Sequence, residues 1–203
     1  DLQAQDYDGN IEYIIVDDQS TDNTKEIIKE LTEKNQKFKY VASEEGNNKL
    51  FFKKRALDAG IKKATHDILI FTDVDCRLKS TWIESMADCF DEDVDYVIGS
   101  SQISNPSNLI SCFQKIDLLM MMIAGRATCN LNIPFACTGQ NQAYRKYLYE
   151  KIGFLNIINS IQGDDTLFMQ LCLKEKINII FNDDNRSFVE SRIEVNIWSF
   201  IKQ

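Results

Sequence analysis

Short apolar runs alternate along the chain with longer segments in which apolar residues recur every three or four positions. The first pattern predicts strands and the second predicts amphipathic helices. The predicted strands cover residues 11–16, 38–41, 68–71, 96–99 and 177–181. The predicted helices cover about 24–34, 50–64 and 81–90, then a segment through Tyr144, Leu148 and Ile152, one opened by Gly163, and one with Trp198, Phe200 and Ile201. This order predicts an α/β fold with a mostly parallel central sheet flanked by helices.

An apolar, Met-rich segment occupies residues 109–122. Met fills irregular gaps, so the segment fits a core or a helix interface better than a binding groove. Residues 109–124 are interrupted by Lys115 and Asp117 and are shorter than the ~20 residues of a membrane span. A helix lying on a membrane surface is less favoured, because the segment lacks Lys and Arg clusters. The sequence therefore predicts no span, and no signal peptide opens it.

Length and composition place the chain among ordinary globular proteins. Its 203 residues suit a single domain over residues 1–203, with 44% hydrophobic and 27% charged residues. The net charge of -8 argues against a nucleic-acid partner, since sequence-independent binding needs clustered Lys and Arg. Six scattered cysteines without a C-x-x-C pair favour a reducing compartment, and with His66 as the one histidine they give no zinc site.

Two carboxylates follow the most apolar of the predicted strands. The run from Ile68 to Phe71 leads into Thr72, Asp73, Val74 and Asp75. Ligands of open α/β sheets bind beyond the carboxyl ends of the strands, and Mg²⁺ or Mn²⁺ is held there by one or two carboxylates plus substrate phosphate. The alternative is a pair of solvated aspartates in a strand-to-loop turn, where Asp is common.

Two further acidic pairs occupy comparable places, Asp17-Asp18 after the first predicted strand and Asp164-Asp165 at the start of a predicted helix. Helix capping is the simpler interpretation of the second pair, because the helix dipole favours acidic residues in the first turn. One arrangement would use all three clusters. The first would contact a nucleoside, the second would hold a metal on a diphosphate, and the third would take a proton from an incoming hydroxyl.

Five segments taken in order carry a recognisable pattern: residues 16–24, 56–61, 71–76, 139–146 and 163–167. Together they resemble the family 2 glycosyltransferases of GT-A fold over nearly the whole chain. Gly163-Asp164-Asp165-Thr166-Leu167 is similar to the family's Glu-Asp-x-x-Leu element, with Asp164 where Glu is usual.

The resemblance implies inverting transfer of a sugar from a nucleotide diphosphate, such as a UDP- or GDP-sugar, to a hydroxyl of a glycan, lipid-linked or other acceptor. It implies that Asp165 is the general base, with Asp164 beside it, and that Mn²⁺ or Mg²⁺ is the cofactor. The implied roles of the other residues are nucleotide binding by Asp17, Asp18, Lys53 and Asp73, metal binding by Asp73 and Asp75, and acceptor contact by Gly139, Asn141 and Arg145.

The chain departs from the family pattern at three positions. Phe52 stands where Gly is frequent, Asp58 where Asn is usual, and His66 where Gly is common. The family's first strand and its region after Gln203 are absent, so we expect a fragment of a longer protein. The lead-in at residues 198–203 resembles the approach to the Gln-x-x-Arg-Trp element of membrane-associated members. The resemblance thus implies a cytoplasmic domain at the inner face of the cell membrane, attached through segments outside this chain.

Three other functions compete with sugar transfer. A sugar-phosphate nucleotidyltransferase also uses a parallel sheet and acidic metal ligands, but it needs a Gly-rich basic loop near its first strand. A Rossmann dehydrogenase needs G-x-G-x-x-G after a strand, and no such run occurs. A catalytically inactive, glycosyltransferase-like binding domain is disfavoured by the presence of all three acidic clusters.

Overall fold

The computed structural model describes residues 1–160 and 163–191. The strands are β1 (Tyr13–Asp17), β2 (Phe38–Ala42), β3 (Ile68–Phe71), β4 (Tyr96–Gly99), β5 (Ser101–Gln102), β6 (Gln142–Arg145), β7 (Ile179–Asn182) and β8 (Val189–Glu190). The helices are α1 (Thr24–Lys34), α2 (Phe52–Lys63), α3 (Trp82–Ala87), α4 (Leu109–Asn130), α5 (Lys146–Ile152) and α6 (Asp164–Leu173). The helix predicted around Trp198, Phe200 and Ile201 lies outside the described residues.

The chain divides into two compact units. The first contains residues 1–7, 70–144 and the chain from 169 onward, and the second contains residues 8–69 and 145–168. The prediction of one domain over residues 1–203 stays a prediction.

In the second unit, β1 and β2 form a parallel pair with Tyr13 opposite Phe38. The rings of these two residues stack with their centroids 4.6 Å apart. Helix α1 joins the two strands, as the βαβ pattern predicts, and it buries Ile28. Tyr149 of α5 makes an edge-on contact with Phe154, and Phe154 makes another with Phe168. Apolar burial of this kind is the main stabilising contribution to the unit.

The sheet of the first unit has the strand order β3-β6-β4-β7, and only the outer ends of β3 and β6 belong to the second unit. Strand β4 is parallel to β7 and antiparallel to β6. Tyr96, Val97 and Ile98 of β4 are fully buried, as expected for a strand with neighbours on both sides. Tyr144 of β6 stacks between Tyr96 and Phe71, at centroid distances of 5.3 and 4.7 Å. A short parallel pair, β5 with β8, is a separate sheet.

One sequence prediction needs correction here. The described strands pair in three sheets, and β6, which the sequence did not predict, runs antiparallel to its neighbour β4. Tyr144 lies in that strand, and the predicted helix begins only at Lys146. The pattern does not reveal β6 because Gln142–Arg145 has a polar residue at each end and no apolar run like those of β3 and β4, and long-range pairing with β4 decides its conformation.

Helix α4 carries an apolar face that the described chain leaves exposed. Leu109, Phe113, Ile116, Met120 and Ile123 recur at helical spacing and are between 54% and 89% exposed. Met122 and Gly125, on the other side, are buried. Only part of the Met-rich segment is therefore core. Among residues 1–160 and 163–191, no helix has the length and apolar character needed to cross a bilayer.

Close packing of α2 on β1 depends on Gly60. A methyl group on Gly60 would lie 2.9 Å from Cγ2 of Val16. Gly60→Ala is therefore expected to lower the free energy of unfolding by about 1–3 kcal/mol, because one of the two elements must shift. Gly125→Ala on α4 is the matched control. Its methyl group would meet its nearest atoms at 3.4 and 3.5 Å, and alanine favours a helix by about 1 kcal/mol over glycine.

Denaturant unfolding of both variants gives the comparison. The expected result is a lower midpoint for Gly60→Ala and an unchanged or higher midpoint for Gly125→Ala. Equal shifts in the same direction would contradict the close approach of α2 to β1.

Candidate active site

The first acidic pair divides into a buried and an exposed carboxylate. Asp17 is the last residue of β1 and is 7% exposed, whereas Asp18 is exposed. Asp17 accepts hydrogen bonds from the Ser20 backbone N–H and from the Tyr40 hydroxyl, each 3.1 Å long. Hydrogen bonds from Ser20, with help from Tyr40, hold the pKa of Asp17 below its usual range in spite of burial. Asp17 thus fixes the turn after β1, and Asp18 is the residue exposed to a ligand.

The second acidic pair follows β3 in the first unit. Asp73 is half-buried and Asp75 is exposed, and a turn between them is closed by the Cys76 N–H on the Asp73 carbonyl at 3.2 Å. Burial, reinforced by the negative charges of Asp73 and Asp75, raises the pKa of the Cys76 thiol to about 11. Both carboxylates therefore lie near the same thiol.

Asp75 lines a cleft of about 410 Å³. The other lining residues are Val74, Arg77, Glu190 and Ser191. The backbone N–H of Arg77 donates to the Glu190 carbonyl at 2.9 Å, and the backbone N–H of Glu190 donates to the Arg77 carbonyl at 3.0 Å. Gln140 donates a hydrogen bond of 3.0 Å to the Ser191 hydroxyl, and this links the cleft wall to the segment predicted to contact the acceptor. The cleft is a predominantly polar space that begins at a strand-end carboxylate.

The residues of this turn fit a divalent cation whose coordination shell is completed by substrate. No group of three His, Cys, Asp or Glu side chains within residues 1–160 and 163–191 could form a complete metal cage. Two hard carboxylates next to an open polar cleft match the way Mg²⁺ or Mn²⁺ uses one or two protein ligands and takes the rest from water and phosphate. Asp73 and Asp75 would supply these two ligands.

The third acidic pair opens α6 in the second unit. Asp164 and Asp165 form the first turn of that helix, and the Thr166 N–H donates to Asp165 Oδ1 at 2.6 Å. Burial raises the pKa of the Asp164 carboxyl, and the positive charges of Lys53 and Lys54 oppose that rise. The structure therefore brings Lys53, predicted on the nucleotide side, into electrostatic range of the predicted catalytic pair.

The residues predicted on the acceptor side lie at buried positions. Gly139 is buried, Arg145 is half-buried at the end of β6, and Asn141 has no exposed surface. The Asn141 amide donates to the carbonyls of Ser100 and Ser187 at 2.7 and 2.9 Å, and its oxygen accepts from the Trp82 indole at 3.0 Å. These contacts give Asn141 a structural role, and its predicted contact with an acceptor stays a prediction.

The candidate residues are divided between the two units. Asp18, Lys53 and the Asp164-Asp165 pair lie in the second unit, and Asp73 and Asp75 lie in the first. Lys53 and Asp164 are brought together within one unit, as are the two aspartates after β3. Convergence of all three clusters on one ligand stays a prediction.

Two of the three departures from the family pattern, Phe52 and Asp58, have local explanations. Phe52 has a φ of 53°, a left-handed conformation that glycine adopts without strain, which explains why Gly is frequent there. Asp58 accepts hydrogen bonds from the Asn47 N–H, the Lys62 ammonium and the Tyr149 hydroxyl. Burial would raise the pKa of Asp58, but these bonds hold it below its usual range. Asp58 therefore stabilises the second unit as a charged residue in place of the usual Asn.

Several residues at the site were not found from the sequence. Tyr40 on Asp17, Gln140 on Ser191 and Lys54 near Asp164 all act across long chain separations or from positions with no local signal. The sequence gives a weak indication that Arg77 lies at the site, because it follows Asp75 by two residues.

Comparison with known proteins gives three kinds of likeness. The model of the family described as Glycosyl transferase family 2 matches residues 1–153. Poly-beta-1,6-N-acetyl-D-glucosamine synthase of Staphylococcus epidermidis is 28% identical over 166 residues, which are 81% of this chain and 34% of that protein. The chain therefore spans about a third of the length of the curated relatives that it matches.

Two solved structures resemble the fold. Mannosyltransferase PcManGT from Pyrobaculum calidifontis, in complex with GDP-Man and Mn²⁺, has a TM-score of 0.71 at 18% identity, covering 99% of this chain and 53% of that one. Glucosyl-3-phosphoglycerate synthase from Mycobacterium tuberculosis, in complex with Mn²⁺, UDP and glucosyl-3-phosphoglycerate, has a TM-score of 0.57 at 15% identity, covering 94% and 63%.

These likenesses confirm the predicted GT-A fold, and at these identities the structural ones concern the fold alone. The family match covers three quarters of the chain, including the acidic clusters after β1 and β3. The chain belongs to glycosyl transferase family 2.

Proposed function

We propose that this chain is the catalytic domain of an inverting glycosyltransferase, which moves a sugar from a nucleotide diphosphate to an acceptor hydroxyl. The observation that carries the proposal is the position of Asp73 and Asp75 at the carboxyl end of β3, beside a polar cleft, in a chain of this family. Donor binding is expected to need a divalent metal, Mn²⁺ or Mg²⁺. The Mn²⁺ in both similar structures supports this expectation.

The nucleotide side of the site consists of Asp18 and Lys53. Asp17 is already bound by Ser20 and Tyr40, so its contribution is to hold the turn that presents Asp18. A carboxylate in this place can accept hydrogen bonds from a nucleoside. The exposed ammonium of Lys53 supplies a positive charge for the anionic donor.

Asp73 and Asp75 hold the diphosphate end of the donor. Their two negative charges would repel a diphosphate, so the proposed site requires a cation between the two carboxylates and the diphosphate. A bound Mn²⁺ or Mg²⁺ supplies electrostatic stabilisation of the negative charge on the leaving diphosphate.

Asp165 is the proposed general base. Inversion requires the acceptor hydroxyl to attack the sugar from the face opposite the diphosphate, and the base must lie within hydrogen-bond reach of that hydroxyl. The Thr166 N–H donates to Oδ1 of Asp165 and holds the carboxylate, which would take the proton of the acceptor hydroxyl. Burial, with the negative charge of Asp165, raises the pKa of the neighbouring Asp164, and the positive charges of Lys53 and Lys54 oppose that rise.

The substrates follow from the donors named for similar proteins and from the curated relative. GDP-Man and UDP in the similar structures support a GDP- or UDP-sugar donor. The likeness to a poly-N-acetylglucosamine synthase supports a growing glycan as the acceptor. Membrane attachment of the longer protein, with this domain on the cytoplasmic side, is proposed from the family resemblance of residues 198–203.

Asp75→Ala tests the metal site. The variant is expected to lose the Mn²⁺-dependent part of UDP and GDP affinity, by about tenfold or more, because one of two protein ligands is removed. Calorimetric titration of the full-length protein with each nucleotide, with and without Mn²⁺, measures this. Asp93→Ala is the matched control, since it removes an exposed carboxylate of the same unit outside the cleft.

Unchanged metal-dependent affinity in Asp75→Ala would remove Asp75 from the metal site. A parental protein that binds nucleotide with Mn²⁺ but never transfers sugar would instead favour the inactive binding domain. A thermal-shift series of UDP and GDP with Mn²⁺ separates the two donor classes in the same samples.

A further inference from the structure

Lys54 is a buried charge that the proposed chemistry does not use. It is 4% exposed, whereas the neighbouring Lys53 is exposed. The two differ because Lys54 lies on the buried face of α2, in register with Asp58 and Ile61 at spacings of four and seven residues. Burying an ammonium group is unfavourable unless it is paired or hydrogen-bonded, so a leucine or alanine would be the simpler residue here.

The ammonium group of Lys54 donates a hydrogen bond to the backbone carbonyl of Ser160. Ser160 follows a single turn of 3₁₀ helix, Leu155–Ile157, and its own N–H donates to the Ile157 carbonyl at 3.2 Å. It precedes Asp164 by four residues. Lys54 and Ser160 are 106 residues apart in sequence, so this contact ties the start of α2 to the segment 155–160, which precedes α6 along the chain.

The same ammonium group lies within electrostatic range of Asp164, whose pKa it lowers against the effect of burial. Lys54 therefore acts on the acidic pair in two ways, through the backbone before it and through its charge. Lys54, Ser160 and Asp164 all belong to the second unit.

We propose that Lys54 is a positioning residue, which fixes the segment before α6 and so orients Asp165 toward the acceptor hydroxyl. This inference rests on the proposed function, because it presumes that Asp165 is the base. It assigns Lys54 a role different from that of Lys53. Lys53 meets the donor, and Lys54 holds the base in place without touching donor or acceptor.

The kinetic consequence is a change in kcat and not in donor affinity. A catalytic group displaced by about 1 Å can lose on the order of 10²-fold in rate. Lys54→Met keeps the length and apolar stem of the side chain and removes the hydrogen bond and the charge. It is expected to lower kcat by about 10- to 100-fold with the donor KM near the parental value. Lys53→Met is expected to have the opposite effect, with a raised donor KM and a kcat near the parental value.

The test uses the full-length protein and three further variants. Lys54→Arg keeps a charged donor and is expected to recover most of kcat. Lys54→Gln keeps a neutral donor of smaller size, and it serves as the second variant if Lys54→Met fails to bind nucleotide and Mn²⁺ by calorimetry. Lys49→Met removes one exposed charge of the same unit and controls for net charge.

Hydrogen exchange supplies a readout that does not depend on turnover. Backbone amides of residues 155–160 and 163–167 are expected to exchange faster in Lys54→Met than in the parent or in Lys49→Met. Parental kcat and parental exchange in Lys54→Met would overturn the inference, and so would a loss confined to donor affinity.

The same experiments distinguish a wrong proposed function from a wrong role for Lys54. A parent that transfers no sugar contradicts the glycosyltransferase proposal, and exchange at residues 155–160 still decides whether Lys54 holds the segment. A parent that transfers sugar, together with an equally active Lys54→Met, contradicts only the role of Lys54.

Discussion

Asp165→Asn is expected to lower the rate of sugar transfer by about 10²–10⁴-fold, while nucleotide and Mn²⁺ binding stay near the parental values. The amide has the shape of the carboxylate, and its oxygen can keep the hydrogen bond from the Thr166 N–H. It cannot take a proton from the acceptor hydroxyl at neutral pH. The loss therefore falls on kcat, measured as release of nucleotide diphosphate at saturating donor.

Asp164→Asn is the matched control for this change. It alters the neighbouring carboxyl of the same helical turn, which the family resemblance places beside the base and not as the base itself. We expect a smaller loss of kcat than in Asp165→Asn. A parental rate in Asp165→Asn, or a larger loss in Asp164→Asn, would contradict the assignment of the base.

The βαβ part of the fold was predictable because its elements carry their own signals. Strand β3 is a short apolar run between polar residues, and α1 shows apolar residues at helical spacing after a cluster of capping residues. Burial of one face then selects the element that the pattern already favours. Strand β6 has no such signal, because its pairing with β4 and not its composition makes it a strand.

The positions of the acidic pairs were also predictable, because the strands β1 and β3 and the helix α6 beside them carry their own signals, whereas the roles of these residues stay predictions. The groups that hold these residues were not predictable. Tyr40 and Lys54 resemble ordinary surface residues in sequence, and only folding brings Tyr40 to Asp17 and Lys54 to Ser160. A side chain that binds a distant backbone carbonyl leaves no trace in local spacing, so residues of this kind must come from coordinates.

Asn141 illustrates the same difference between a motif and its surroundings. The family resemblance predicts an acceptor contact for this residue, but its amide is enclosed by the first unit. A Cβ atom on Gly99 would lie only 2.4 to 2.5 Å from the carbon, nitrogen and oxygen atoms of the Asn141 carboxamide. The neighbouring strand therefore has room for glycine alone at this position. The close approach lets one side chain bond Ser100, directly after β4, as well as Trp82 of α3 and the Ser187 carbonyl.

Asn141→Leu is therefore expected to be among the most destabilising single changes in this unit. Leucine has a similar size but no polar atoms, so the Trp82 N–H and the carbonyls of Ser100 and Ser187 lose a partner. The Ser100 carbonyl keeps the Val189 N–H as a donor, so the Trp82 N–H and the Ser187 carbonyl are the groups left unsatisfied. At about 1–3 kcal/mol each, the loss is about 2–6 kcal/mol, which reaches the lower end of the stability of a typical domain, about 5–15 kcal/mol.

Denaturant unfolding measures the loss, with Asn130→Leu as the control at an exposed position of α4, where a change within about 0.5 kcal/mol is expected. Trp82→Phe, which removes only the indole N–H, is expected to have an intermediate effect. Asn141→Leu with parental stability and lost activity would contradict the structural role and restore the predicted acceptor contact. Lost stability with acceptor KM unchanged in the fraction that remains folded would place Asn141 in the framework of the first unit, because only a residue that touches acceptor changes acceptor binding directly.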